Sequence, residues 1–263
     1  MKIGVFDSGL GGLTVLSDLI KSLPKAEFVY LADTKNLPYG NKSLEELQKL
    51  AEAKVAWMKK QKIDLLVIAC NTSESALLGR DFSGDFPLGV VKIIEPLANK
   101  IITEDIKVQK IAFMSTAFTA KVNLFSKILQ PIKPELKVTP LPCPDLVSAI
   151  ENSASSKTIQ ALLDNYLEPL VEENYQGLIL ACSHYPIIED EIHNFLVKKN
   201  LEQILLLNPA KALVEEVLKK SIISNSFKLD CFITDARTEN RLDYFVQKLI
   251  GIKAPIHYIM PLC

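Results

Sequence analysis

The chain is poor in the residues that metal and nucleic-acid chemistry draw on. Its 263 residues hold three histidines and one tryptophan, too few for clustered imidazole ligands or a row of stacking rings. Lysine plus arginine number 30 against 31 acids. No basic field gathers phosphate backbones, which argues against nucleic acid as a main partner. No apolar run is long enough to cross a bilayer, and MKIGVF leads straight into Asp7 without an apolar leader or cleavage site. A cytoplasmic protein with no membrane partner is expected. The five cysteines (70, 143, 182, 231 and 263) are odd in number and lack any framework spacing. In a reducing compartment they read as free thiols. A zinc site needs three or four convergent ligands and Cys182-x-His184 supplies two, so no metal is expected. There is no low-complexity segment.

What is present is a soluble globular composition, 48% hydrophobic and 23% charged, long enough for one large or two ordinary domains. The run LLVIAC ending at Cys70 is echoed by GLILAC ending at Cys182. Neither alternates with period 2, as befits strands buried on both faces of a parallel sheet. Further strands are predicted at 2–6, 28–32, 88–93, 110–114, 136–141 and 203–207. A helix is predicted to open at Ser43, where Ser43 and Glu46 form a capping-box signature. Leu44, Leu47, Ala51, Val55 and Met58 share one face of it, with Glu45, Lys49, Glu52 and Lys59 on the solvated side. Strand alternating with helix predicts an α/β fold of doubly wound parallel sheets. Pro96 and Pro209, each just past an apolar strand, mark crossings. They place a first domain at 1–94 completed by 208–263, and a second at 95–207.

The carboxyl ends of strands are where open α/β sheets bind ligands. Thiols on opposite faces of one substrate carbon could remove a proton from one side and return one from the other, which is the chemistry of racemisation. Free cysteine has a pKa of about 8.5, so each thiol needs help. His184 is close to Cys182 in sequence, and Asp7, ending another strand, is the candidate partner of Cys70. The turn FDSGLGGLTV (6–15) follows the first strand. Its glycines allow a tight turn, and the N–H groups at the helix start would suit an anion. With Thr14 where a third glycine belongs, the turn is not a dinucleotide fingerprint, and a carboxylate fits it better than a pyrophosphate. A cysteine hydrolase built on Cys182 and His184 would leave Cys70 without a role. Cys143, Cys231, Cys263, His193 and His257 read as structural or incidental.

FDSGLGG at 6–12, PYG at 38–40, ACNT at 69–72 and CSHYP at 182–186, in that order, resemble the glutamate racemases of the aspartate/glutamate racemase superfamily. The likeness covers nearly the whole chain. It implies two α/β domains of similar topology with the active site between them, closing on glutamate. It implies a homodimer that needs no flavin, pyridoxal phosphate or metal and supplies D-glutamate for peptidoglycan. By position, Cys70 matches the thiol that takes the α-proton of D-glutamate, and Cys182 the one that acts on L-glutamate. Asp7 and His184 would assist them, and Glu151 would orient the histidine. Asp7, Ser8, Pro38, Tyr39, Gly40, Asn71 and Thr72 fall on substrate contacts, as do Ser183 and His184. Thr116 and Thr119 would complete the second domain's share.

Three places depart from that pattern. Ser183 stands where threonine is common, Ser73-Glu74 follows CNT in place of small or hydroxyl residues, and Asn208-Pro209 replaces a small polar pair. With Asn71 as cap of the helix after Cys70, Glu74 is expected at the third helical position, its carboxylate reaching back to the cap N–H. The competing expectation points Glu74 into the pocket, against a substrate carboxylate. Two other functions fit the same motifs. One is a superfamily racemase acting on aspartate or another amino acid. The other is a non-catalytic amino-acid-binding regulator, against which the intact thiol pair argues.

Overall fold

The computed structural model describes residues 1–104, 108–220 and 226–262. Four strands come first: β1 (Lys2–Asp7), β2 (Glu27–Ala32), β3 (Leu65–Ile68) and β4 (Val90–Lys92). Four more follow, β5 (Lys110–Ser115), β6 (Lys137–Pro142), β7 (Gly177–Ala181) and β8 (Leu205–Leu207). Then β9 (Lys228–Ile233) and β10 (Ile256–Tyr258) return to the first set. The strands build a six-stranded sheet, β10-β9-β2-β1-β3-β4, and a four-stranded sheet, β6-β5-β7-β8. Pairing is parallel throughout both.

The order β2-β1-β3-β4 in one sheet is the order β6-β5-β7-β8 in the other. The cysteine echo is thus a repeat of topology, since Cys70 follows β3 and Cys182 follows its counterpart β7. In each sheet the chain winds outward in both directions from a central pair, β1 with β3 or β5 with β7. The carboxyl ends of such a pair form the switch point where open α/β sheets take ligands. Asp7, Ser8 and Cys70 stand at one switch point, Thr116 and Cys182 at the other.

The predicted strands form, although 88–93 pairs only over 90–92 and 203–207 only over 205–207. The helices are α1 (Gly12–Ser22), α2 (Leu44–Lys60), α3 (Asn71–Ala76), α4 (Ile94–Thr103), α5 (Ala117–Val122), α6 (Leu124–Leu129), α7 (Leu146–Glu151), α8 (Ser156–Tyr166), α9 (Pro169–Glu172), α10 (Glu189–Lys198), α11 (Pro209–Leu218) and α12 (Glu239–Ile250). At α2 both halves of the capping box are made, a device that stabilises a helix start by about 1 kcal/mol. Leu47, Ala51, Val55 and Met58 are buried as their spacing requires, whereas Leu44, in the first turn, is 50% exposed.

The two prolines mark helix starts between the sheets. Pro209 opens α11, where its missing N–H is no loss, and Asn208 caps that helix by accepting from Ala210 N at 3.0 Å. Pro96 sits in the first turn of α4, which packs against both α11 and α6. Leu97 and Ile101 of α4 and Leu213 and Val217 of α11 join one apolar cluster with Val5 and Val67 of the six-stranded sheet. Phe113 and Ile179 of the four-stranded sheet belong to the same cluster. The carboxyl-terminal edges are thereby held to face each other across a cleft. Among the described residues, no helix is long and apolar enough to cross a membrane.

Candidate active site

Cys70 leaves β3 as the N-cap of α3. Its Sγ accepts a hydrogen bond from Ser73 N at 3.4 Å, the place an oxygen cap takes in most helices. The thiol donates to Ser8 Oγ at 3.6 Å, and Ser8 Oγ donates to Asp7 Oδ1 at 3.5 Å. Ser8 therefore stands between Cys70 and the carboxylate expected to partner it directly. Burial, with the Asp7 charge adding to it, pushes the Cys70 thiol up to about 11 despite its hydrogen bonds with Ser73 and Ser8. Asp7 is itself raised by burial, partly offset by His184, the Gly9 N–H and Ser183.

The second thiol has a different escort. Cys182 Sγ lies 3.8 Å from His184 Nδ1, and His184 Nε2 lies 2.7 Å from Glu151 Oε1. Burial alone would favour neutral imidazole, but the bonds and charges of Cys182 and Glu151 outweigh it and hold the His184 pKa well above its usual value. Burial likewise opposes the charge on Glu151, yet His184, the Leu10 N–H and Arg241 lower its pKa. Ser183 Oγ donates to Asp7 Oδ2 at 2.9 Å, so the chain beside Cys182 is hydrogen-bonded to the end of β1.

The glycine turn meets an anion, and that anion belongs to the protein. Leu10 N donates to Glu151 Oε1 at 3.0 Å and Gly9 N to Asp7 Oδ1 at 2.9 Å. A Cβ on Gly11 would lie 2.4 Å from His184 Nδ1, and one on Gly9 would lie 2.5 Å from Glu151 Oε1. The glycines admit the His184–Glu151 pair of the opposing sheet. The N–H groups of Gly9 and Leu10, which precede α1, are thereby taken by the protein's own carboxylates.

One pocket lies between the two strand-end clusters. Ser8, Pro38, Tyr39, Gly40, Asn71 and Thr72 line it from the six-stranded side, and Thr116, Ser183 and His184 from the other, together with both thiols. Its cavity is about 20 Å³, so the walls stand close together. Asp7, Thr119 and Glu151 stand behind this lining and reach it through other residues. Thr119 does so by a triangle of hydroxyls, 3.0 Å from Thr72 to Thr116, 3.3 Å from Thr72 to Thr119 and 3.1 Å from Thr116 to Thr119. Asn41, Pro144 and Val147 also line the pocket. Asn41 could have been found from its place after PYG, whereas Pro144 and Val147 carry no chemical signal.

Both polar atoms of the Asn71 amide are buried without a partner among the described residues. A buried amide requires partners, and a polar molecule in the pocket would supply them. Tyr39 is held from behind, its hydroxyl donating to Asp33 Oδ2 at 2.5 Å. Asp33 also accepts from Thr234 Oγ1 at 2.7 Å and is ion-paired with the fully buried Lys54. Among the described residues, no group of three or more His, Cys, Asp or Glu converges as metal ligands would.

Glu74 follows neither of its expected courses. With Cys70 as N-cap, Glu74 is the fourth residue of α3, and its carboxylate leaves that helix altogether. Oε2 accepts from Ile94 N at 2.6 Å and Oε1 from Glu95 N at 3.3 Å, at the start of α4. Burial pushes its pKa up to about 8, against the lowering effect of the Ile94 N–H. It does not line the pocket, so its carboxylate does not stand against a carboxylate bound there.

Comparison with known proteins agrees with this geometry. Residues 8–217 match the Asp/Glu/Hydantoin racemase family. A glutamate racemase of Prochlorococcus marinus strain NATL2A is 36% identical over 241 residues, 91% of this chain and 82% of that protein. A glutamate racemase of Trichodesmium erythraeum is 30% identical, covering 98% and 94% of the two chains. The crystal structure of a glutamate racemase isoform from Bacillus anthracis superposes with a TM-score of 0.87 at 30% identity, over 98% of this chain and 96% of that one.

Proposed function

Because the chain belongs to the Asp/Glu/Hydantoin racemase family, we propose that it interconverts L- and D-glutamate with Cys70 and Cys182 as its two acid/base groups. The observation that carries this reading is the arrival of two thiols in one pocket from equivalent strands of two sheets. In the D-to-L direction the Cys70 thiolate takes the α-proton, and the electron pair stays on the substrate carbon as a carbanion delocalised into the α-carboxylate. The Cys182 thiol then delivers a proton to the opposite face. Cys70 ends as thiol and Cys182 as thiolate, so the reverse reaction begins from the other member of the pair.

The two thiols reach their working states differently. His184, its pKa held up by Cys182 and Glu151 against burial, stands beside Cys182 to return the proton it gives up. Beside Cys70 stands an acid, which opposes ionisation. The substrate's own ammonium group brings the positive charge that site lacks, so the thiolate forms when substrate is bound. Among the described residues the lining holds no Lys or Arg, which implies that neutral donors hold the dicarboxylate, among them the Asn71 amide and the hydroxyls of Thr72 and Thr116, while Ser183, its proton given to Asp7, can only accept. Asp7 and Thr119 orient these groups.

The same reading makes the protein a cytoplasmic homodimer that supplies D-glutamate to peptidoglycan synthesis, as the family resemblance implies. It divides the chain near residues 94 and 208, where α4 and α11 begin.

The direct test is chiral analysis of glutamate and of aspartate, each incubated with purified protein in D2O and no added cofactor. Either glutamate enantiomer is expected to yield the other with deuterium at Cα, because the thiol that reprotonates the carbanion has exchanged with solvent. Inversion without solvent deuterium rules the mechanism out, and turnover of aspartate alone reassigns the substrate.

The His184–Glu151 pair gives a second expectation. His184→Asn should lower kcat by about 100-fold, within the usual range of general acid/base effects, with a smaller change in KM. Glu151→Gln removes the charge that, with Cys182, raises the His184 pKa, so the alkaline limb of the D-to-L rate profile should move to lower pH. An unmoved limb together with an unchanged kcat in His184→Asn would reduce the pair to a structural contact.

A further inference from the structure

The short helix that presents Cys70 is held on two opposite sides. At six residues, α3 is far below the roughly 12–15 needed for a helix to be stable alone, so tertiary contacts decide where it sits. Thr72 and Glu74 are two residues apart, hence about 200° apart around the axis. Thr72 reaches Thr116 and Thr119 on the pocket side. Glu74, 1% exposed, points away and accepts from Ile94 N and Glu95 N.

Those two N–H groups belong to a helix start that has no cap of its own. Ile93, the N-cap of α4, offers no side-chain acceptor, and Pro96 has no N–H, so Ile94 and Glu95 are the first-turn donors. Glu74 takes both. The carboxylate also lies at the positive end of the α4 dipole. Through α6 and α11, α4 is packed into the core shared by both sheets.

We propose that Glu74 is a positioning residue for Cys70: by locking α3 to the start of α4 it sets the thiol at the depth where it meets the substrate's α-carbon. This inference rests on the two-thiol reading given above. Without the lock, α3 keeps its attachment to β3 and to the Thr116–Thr119 hydroxyls and shifts towards the pocket. Proton transfer is steep in distance, so the Cys70 step slows while the Cys182 step, on the other sheet, does not.

Isotope effects read that difference. Glutamate enantiomers are equally stable, so kcat/KM must fall equally in both directions, but the hydrogen isotope effects need not stay equal. Deuterium at Cα of D-glutamate reports the Cys70 step, and deuterium at Cα of L-glutamate reports the Cys182 step. In Glu74→Ala, kcat should fall by at least about tenfold, the scale on which sub-ångström misplacement acts, with KM changed much less. The isotope effect should rise for D-glutamate and fall for L-glutamate. Glu74→Gln, which keeps one carbonyl acceptor for the Ile94 N–H, should recover most of the turnover and show a smaller asymmetry of the same sign. It also carries the test if the alanine variant does not fold. Isotope effects that stay as in the parent enzyme, or that shift the other way, in a folded variant overturn the proposal and leave Glu74 as a helix cap only. Cys70→Ala run alongside separates the two ideas, because racemisation by that variant defeats the two-thiol reading whatever Glu74 does.

Discussion

Alanine at either Cys70 or Cys182 is expected to abolish racemisation in both directions, with a loss on the order of 10⁴-fold, the upper range for a single acid/base group. One missing thiol blocks inversion whichever enantiomer is supplied, because each turnover uses both. The surviving thiol can still exchange the α-hydrogen of one enantiomer with solvent. Deuterium should therefore enter D-glutamate without inversion in Cys182→Ala, and L-glutamate in Cys70→Ala. The controls are Cys143→Ala and Cys231→Ala. Both thiols are buried, outside the pocket lining, and pushed by burial up to about 12, and both variants should turn over nearly as the parent does. Cys263 lies outside the described residues. Comparable loss in folded Cys143→Ala would show that the reacting thiols are misassigned.

The second large effect is on stability. Lys54 and Asp33 are both 0% exposed, and Asp33 gathers Tyr39, Thr234 and Asn36 around it. Lys54→Met leaves the carboxylate buried among these donors without its cation, and breaking a buried pair from one side costs about 3–5 kcal/mol. Urea unfolding should show the midpoint falling by a corresponding amount. Lys54→Met combined with Asp33→Asn should recover part of the loss, since the orphaned charge is then gone. A midpoint unchanged in the single variant would mean that the pair adds nothing. Because Asp33 also anchors the Tyr39 hydroxyl, a higher KM for glutamate should accompany the loss.

The parts of this molecule legible in sequence are those whose signals are local. A strand buried on both faces advertises itself as an uninterrupted apolar run, so β3 and β7 stand out, and with them the two cysteines at their ends. The Ser43 cap is legible because donor and acceptor lie three residues apart. Strand β10 is not, since only three residues pair and two of them are exposed. Strand β9 passes as an undistinguished apolar stretch. Glu74 shows the limit most clearly, for its carboxylate serves a helix that begins 20 residues later, and spacing within its own helix points instead to a local cap. The glycine turn shows a related limit. Its N–H groups do meet a carboxylate, but the carboxylate belongs to Glu151, 141 residues from Leu10.

The position of β9 beside β2 also bears on how the chain comes off the ribosome. Glu27 is paired with Lys228 and Ala32 with Ile233, so β2 is complete about 200 residues before its outer neighbour exists, a wait of about 10–40 s at usual rates of synthesis. Strands β5 to β8 are contiguous and can close their own sheet during that interval, while β2 carries Phe28, Val29 and Leu31 along an unguarded flank of the kind that recruits foreign strands. Order of synthesis thus runs against order in the sheet. Changes that weaken β9 act first on the yield of soluble enzyme, and only afterwards on its turnover.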